Sequence, residues 1–213
     1  WSFKRTGVGS KEYAAMKLTL YLLFGSAFIL VGIFGLYFAS GLHTFSFTAL
    51  EQVRFDPSLQ SWVFIAFYVG FGILAAIFPF HTWSPDGHAS APTAVSMLHA
   101  GVLMKLGAYG VIRLGMGLLP EATHEWAWLV GAIACINIVW GALSAMSQTD
   151  LKYVVAYSSV SHMGIVMLGA ATLTVTGLNG AVFQMFAHGI MTGLFFALVG
   201  LVYEKAPSRE IFT

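Results

Sequence analysis

The chain has 213 residues, of which 58% are hydrophobic, 15% aromatic and only 9% charged, with a formal net charge of +1. Soluble domains are close to one quarter charged, so a chain this long with so few charges cannot cover a globule with solvated surface, and it reads as a membrane protein. The near-neutral balance excludes a nucleic-acid-binding surface, and the single cysteine, Cys135, excludes an internal disulfide or a thiolate metal site.

The opening Trp1-Ser2-Phe3-Lys4-Arg5 has no initiator Met and no signal-peptide layout, and reads as internal to a longer polypeptide. A hydrocarbon core about 30 Å thick needs roughly 20 helical residues. Six apolar runs of that order follow, at about 18–40, 62–80, 92–114, 126–146, 153–171 and 178–203. The second closes on a break at Pro79. A membrane barrel needs segments of about ten residues with strict alternation, which these runs do not show. The expectation is an all-α, polytopic membrane protein, with residues 1–213 forming one membrane domain or part of one. Lys4, Arg5, Lys11, Lys17, Lys152, Lys205 and Arg209 fall on one side of this arrangement, and Arg54 and Arg113 on the other. The excess of cations places both ends on the cytoplasmic side, or its organellar equivalent. Trp62, Trp126 and Trp128 lie at segment entrances on the opposite side, where interfacial aromatic rings belong.

Polar residues inside these runs carry the functional signal. Lys105 lies well inside the third run, flanked by apolar residues. An ammonium there costs roughly 2.5–3.5 kcal/mol on insertion scales. A lysine reaching to the interface is the plain alternative, but either membrane face is more than a turn away. A buried lysine instead has its neutral form favoured and can exchange protons near neutral pH. His99 shares that helix, about 120° around and about 9 Å along from Lys105 at α-helical spacing, so the two need a water or a neighbouring helix to join them. His162 has Ser158 four residues earlier, and His188 has Gln184 and Thr192 four residues to either side. Singly, each histidine fits an interhelical hydrogen bond. Three of them plus a lysine, spread over three helices, point to a hydrated polar path.

The segment from His81 to His88, with Asp86 between, lies on the basic side after the second run. Its residues lack metal-ligand spacing, so no metal site is expected. Pro79 and Pro85 each remove a backbone donor, which predicts a broken helix of the kind that lines a hydrated cavity. Asp150 and Lys152 sit in a tight turn on the same side and fit a solvated pair. No phosphate loop, nucleophile elbow or carboxylate pair appears, so no covalent chemistry and no bound cofactor are expected in this chain.

Phe80-His81-Thr82-Trp83-Ser84-Pro85-Asp86-Gly87-His88, closing at Ala91-Pro92-Thr93, resembles a signature segment of the antiporter-like subunits of respiratory complex I, a family shared with multisubunit sodium/proton antiporters. Gly101-Val102-Leu103-Met104-Lys105-Leu106-Gly107-Ala108-Tyr109-Gly110 resembles the lysine helix of the M-type (NuoM-like, chain 4) members. Asp150-Leu151-Lys152 with Ala156-Tyr157-Ser158-Ser159-Val160-Ser161-His162, and Gln184-Met185-Phe186-Ala187-His188, match in order. The resemblance implies a fourteen-helix unit of two inverted five-helix repeats, each with a broken helix, of which this chain holds about helices six to eleven. It implies a proton-translocating membrane-arm subunit of an NADH:quinone oxidoreductase, in a bacterial plasma membrane or an organellar inner membrane. NADH, FMN, iron–sulfur clusters and quinone would sit in partner subunits, with L-type and N-type antiporter-like subunits as neighbours in the bilayer. Lys105, His99, His162 and His188 would relay protons, supported by Ser158, Gln184, His81, Asp86, His88, Asp150 and Lys152. A subunit of a sodium/proton antiporter or of a membrane-bound hydrogenase is the alternative. Two departures stand out: Leu74 and Ala76 occupy positions where the family usually has Lys and Pro, and His99 is more typical of the L-type subunits.

Overall fold

The computed structural model describes residues 11–206 and Ile211; Trp1–Arg5 and Arg209 lie outside the described residues. Every described element is helical: α1 (Lys11–Ala39), α2 (Phe47–Leu50), α3 (Pro57–Leu74), α4 (Trp83–Ser90), α5 (Thr93–Leu98), α6 (Met104–Gly110), α7 (Pro120–Met146), α8 (Leu151–Ala171) and α9 (Val175–Lys205). Two π-helical stretches, His99–Leu103 and Val111–Met116, join α5 and α6 into one span, Thr93–Met116. Among the described residues, six helices are long and apolar enough to cross a membrane: α1, α3, this composite third span, α7, α8 and α9. The starts are encoded locally. Asp56 accepts from the Ser58 N–H ahead of Pro57, Asp150 from the Lys152 N–H, and Thr174 from the Gly177 N–H, each satisfying an N–H that the helix itself leaves free.

The core is formed where α3, the third span, α7 and α8 meet, around Phe64, Phe67, Trp83, Met104, Val111, Met163 and Met167. α1 lies at the edge with Leu20, Leu23, Phe24 and Phe38 facing outward. At Gly107 the third span meets the end of α3 at backbone distance. A Cβ placed there would come within 2.6 Å of the Phe71 carbonyl oxygen, so only glycine lets the two spans touch at this level.

The run read as one span over 62–80 is an 18-residue helix, Pro57–Leu74, followed by a break. Apolarity continues to Phe80, which is why composition alone does not see the stop. Ala75 caps the helix, Ala76 takes a left-handed φ of 56°, the Ala76 N–H donates to Ile73 O, and the Ile77 N–H donates back to Gly72 O at 2.9 Å. This is a Schellman stop with alanine where glycine is usual, at a cost of roughly 1–2 kcal/mol for the left-handed residue. Proline, fixed near −65°, cannot adopt this φ. The break is then braced from outside: Trp83 Nε1 donates to Ile73 O at 2.8 Å, the Phe78 N–H donates to Asn137 Oδ1 at 2.9 Å, and Asn137 Nδ2 donates to Val160 O at 2.9 Å. The chain re-enters helical structure as α4, whose residues Trp83, Ser84, Pro85, Gly87 and His88 are buried.

Candidate functional site

The π turn at His99–Leu103 lies inside the third span. A π turn shifts the ladder from i→i+4 to i→i+5 and leaves a carbonyl poorly served; such turns recur at functional sites. Lys105, half-buried, donates its Nζ to the carbonyl of Ala100 within that turn. Gly189 of α9 lies beside the Lys105 stem, where an added Cβ would come within 3.9 Å of Cε. The residue after which Gly189 follows is His188, 1% exposed, with neither ring nitrogen hydrogen-bonded. Its ring stacks on His162 of α8 at 5.1 Å between centroids, and His162 Nδ1 pairs with Gln184 Nε2 at 2.9 Å. Thr192 donates to His188 O at 2.6 Å and fixes the turn that carries the ring.

His99 opens the π turn and packs edge-on to His88 of α4, 6.0 Å between centroids. His88 is wholly buried, tilted against Phe196, and both of its ring nitrogens lack a partner. Burial, with the charges of His99, Lys105 and Lys152 adding to it, holds this imidazole well below its ordinary pKa. Lys105 is within electrostatic reach of His88, His162 and His188 alike.

A second polar group lies where α1, α4 and α8 meet. Lys17 Nζ is 2.7 Å from Asp86 Oδ2, and the Tyr153 hydroxyl donates to Asp86 Oδ1 at 3.2 Å. His81 is 4% exposed and stacks on Phe78; burial first, then the Lys17 charge, lowers its pKa. Lys152 is not solvated as its turn suggests. It is 6% exposed and donates Nζ to Ala91 O at 2.7 Å, tying α8 to the end of α4, while Asp150 serves as the cap of α8.

Of the residues singled out in the sequence, Lys105, His99, His162, His188, Gln184 and His88 converge around the third span, α8 and α9. His81, Asp86 and Lys152 belong to the second group. Ser158 is half-buried, but His162 takes Gln184 of another helix as its partner rather than the serine one turn earlier on its own. Three residues of the arrangement were not anticipated: Asn137, Tyr153 and Lys17 as a partner of Asp86. Asn137 had a signal, a lone amide in the middle of an apolar run. Lys17 did not, since a lysine just ahead of an apolar run reads as an interfacial charge.

This geometry meets known proteins at the level of family. The family described as NADH:quinone oxidoreductase/Mrp antiporter, TM, matches residues 5–213. The chain belongs to that family. Among curated relatives, NAD(P)H-quinone oxidoreductase chain 4 3 of Picosynechococcus sp. is 44% identical over 212 residues, covering 99% of this chain and 38% of the relative. NADH-quinone oxidoreductase subunit M of Rickettsia bellii is 40% identical over 207 residues, covering 96% of this chain and 42% of the relative. Among solved structures, respiratory complex I from Thermus thermophilus with bound NADH contains a chain that superposes with a TM-score of 0.89 at 31% identity, over 94% of this chain and 43% of that one. The chain thus spans about two fifths of the length of the relatives it matches.

Proposed function

We propose that this chain is the central part of an M-type, proton-translocating membrane-arm subunit of an NADH:quinone oxidoreductase. The observation that carries the reading is the Lys105 ammonium held on the Ala100 carbonyl inside a π turn, with the stacked His162–His188 pair on the two facing helices. Lys105 is the central proton acceptor. His162 and His188, steadied by Gln184, relay between it and the far side, with Ser158 at the margin. His99 and His88 link Lys105 to the side carrying His81, Asp86, Asp150 and Lys152. Both ends of the chain face the cytoplasmic side, or its organellar equivalent, because the cations gather there.

Moving one charge against 100 mV costs about 2.3 kcal/mol, so such a relay must be gated by an energy source outside it. That source is quinone reduction in partner subunits, which hold NADH, FMN, iron–sulfur clusters and quinone; L-type and N-type antiporter-like subunits flank this one in the bilayer. With Leu74 in place of a lysine, an ion pair with that position cannot tune Lys105 here, and His99 is the group placed to act in its stead. The test is NADH-driven proton uptake by the parent complex in sealed vesicles, with and without sodium. Uptake that needs NADH and is indifferent to sodium is expected; sodium-dependent exchange without NADH would assign the chain to an antiporter instead.

A further inference from the structure

The short helix α4 is tied to both α1 and α8, and Asp86 serves both. Lys17 Nζ of α1 is 2.7 Å from Asp86 Oδ2, and the Tyr153 hydroxyl of α8 donates to Asp86 Oδ1 at 3.2 Å, so groups from two spans hold the two oxygens of one carboxylate. One turn further along α1, the Tyr21 hydroxyl pairs with the Thr82 hydroxyl at 3.1 Å, where α4 begins. Neither side chain of the ion pair is more than 27% exposed, so the pair is screened less than the surface kind.

His81 stands one residue before Thr82. Its ring is buried, lies on Phe78 at 5.7 Å between centroids, and has no hydrogen-bond partner at Nδ1. The polar groups of this corner come from four elements. α1 brings Lys17, whose charge acts on the His81 ring, with Tyr13 and Tyr21 near that lysine. α4 brings Asp86. α8 brings Tyr153, itself within electrostatic reach of Asp150, and Tyr157, within reach of Asp86 and Lys17. α7 brings Asn137 and Trp140 to the neighbouring Phe78, and neither titrates. A proton on His81 would thus face an ammonium, and the carboxylate beside that ammonium offsets it only while the carboxylate is charged.

We propose that the Lys17–Asp86 pair governs proton occupancy of His81, with Asp86 exchanging protons with the ring and Lys17 as the positioning residue that makes the two sites exclusive. The inference rests on the proton-relay reading and adds to it a charge partner supplied by α1. When a proton leaves the Asp86 carboxyl and, carried by water, arrives at His81 Nδ1, Asp86 regains its negative charge and closes on the Lys17 ammonium. The charge on the ring then arises beside an ion pair. No bond changes except the O–H that breaks and the N–H that forms. While Asp86 holds the proton, Lys17 stands unneutralised and keeps His81 neutral. One proton therefore occupies the two sites at a time.

The test is the pH profile of NADH-driven proton uptake by the intact parent complex in sealed vesicles, with assembly and NADH oxidation verified for each variant. The quantity read is the midpoint, the pH at which uptake falls to half on the alkaline limb. Asp86→Asn leaves Lys17 unneutralised and should move the midpoint down by about one pH unit; Lys17→Met takes away the ammonium and should move it up by about as much. The two substitutions together should return it towards the original, and Lys17→Arg, which keeps the pair, should leave it in place. A merely structural pair would cost assembly or rate without opposite shifts. Midpoints that stay put, or move the same way in both single variants, would overturn the inference. If Asp86→Asn does not assemble, Lys17→Met alone decides, by an upward shift or none. Lys105→Met, run alongside, tests the relay separately: uptake lost there with unmoved midpoints refutes only the role of the pair, whereas uptake unchanged there refutes the relay on which the pair acts.

Discussion

At the end of the second span, the backbone groups freed by the break are taken by the Trp83 indole and the Asn137 amide, whereas in the third span the carbonyl of the π turn is taken by the ammonium of Lys105. Both places interrupt a membrane helix, and both must satisfy backbone groups where no bulk water reaches. The donors differ in kind. Indole and amide cannot titrate, so they make a permanent joint. A charged ammonium donates a stronger bond than the neutral amine, so the hold of Lys105 on the turn strengthens and weakens with its proton. One interruption therefore fixes the frame, and the other couples backbone to protonation.

The largest way to break the permanent joint is Ala76→Pro. Proline cannot take the left-handed φ of this Schellman stop and removes the N–H bonded to Ile73 O, so about 3 kcal/mol or more of stability should be lost, seen as a large fall in thermal midpoint of the detergent-solubilised subunit. Asn137→Leu strands the Phe78 N–H and takes the second donor from the Val160 carbonyl, and should cost roughly 1–3 kcal/mol by the same readout. A subtler probe is pH. His81 and His88 are buried neutral, below the ordinary value near 6.5. Below that pH the unfolded chain binds protons that the folded chain does not, so stability is complete above about pH 6.5 and falls as pH drops, by at most about 1.4 kcal/mol per unit for each group. His88→Gln should flatten that slope in pH-dependent melting curves. Smallest, and opposite in sign, is Ala76→Gly, which relieves the left-handed alanine and should raise stability by about 1 kcal/mol.

The sequence showed the six spans because apolar length is set by bilayer thickness and does not depend on packing. It showed Lys105 and the histidines because each is costly at its depth. It did not show where the second span stops, since Ala75 to Phe80 are as apolar as the helix before them, and the stop lies in a single φ. The π turn was equally hidden: at α-helical spacing His99 and Lys105 stand apart, and the extra residue per turn that brings Lys105 onto Ala100 O is a tertiary effect. Lys152 was misjudged because its turn is polar in sequence yet α4 covers it in space. The pairing of His162 with Gln184, rather than with Ser158, depends on how α8 meets α9, which no single-helix periodicity encodes.

The central claim is that the donor at the π turn matters for its proton and not for its bond. Lys105→Met in the intact parent complex, with assembly and NADH oxidation verified, separates the two. Removing a buried charge should leave thermal stability within about 1 kcal/mol of the original or raise it, while the number of protons moved per NADH by the complex falls. An unchanged proton stoichiometry with assembly intact would contradict the account and leave Lys105 a structural donor like Trp83 and Asn137.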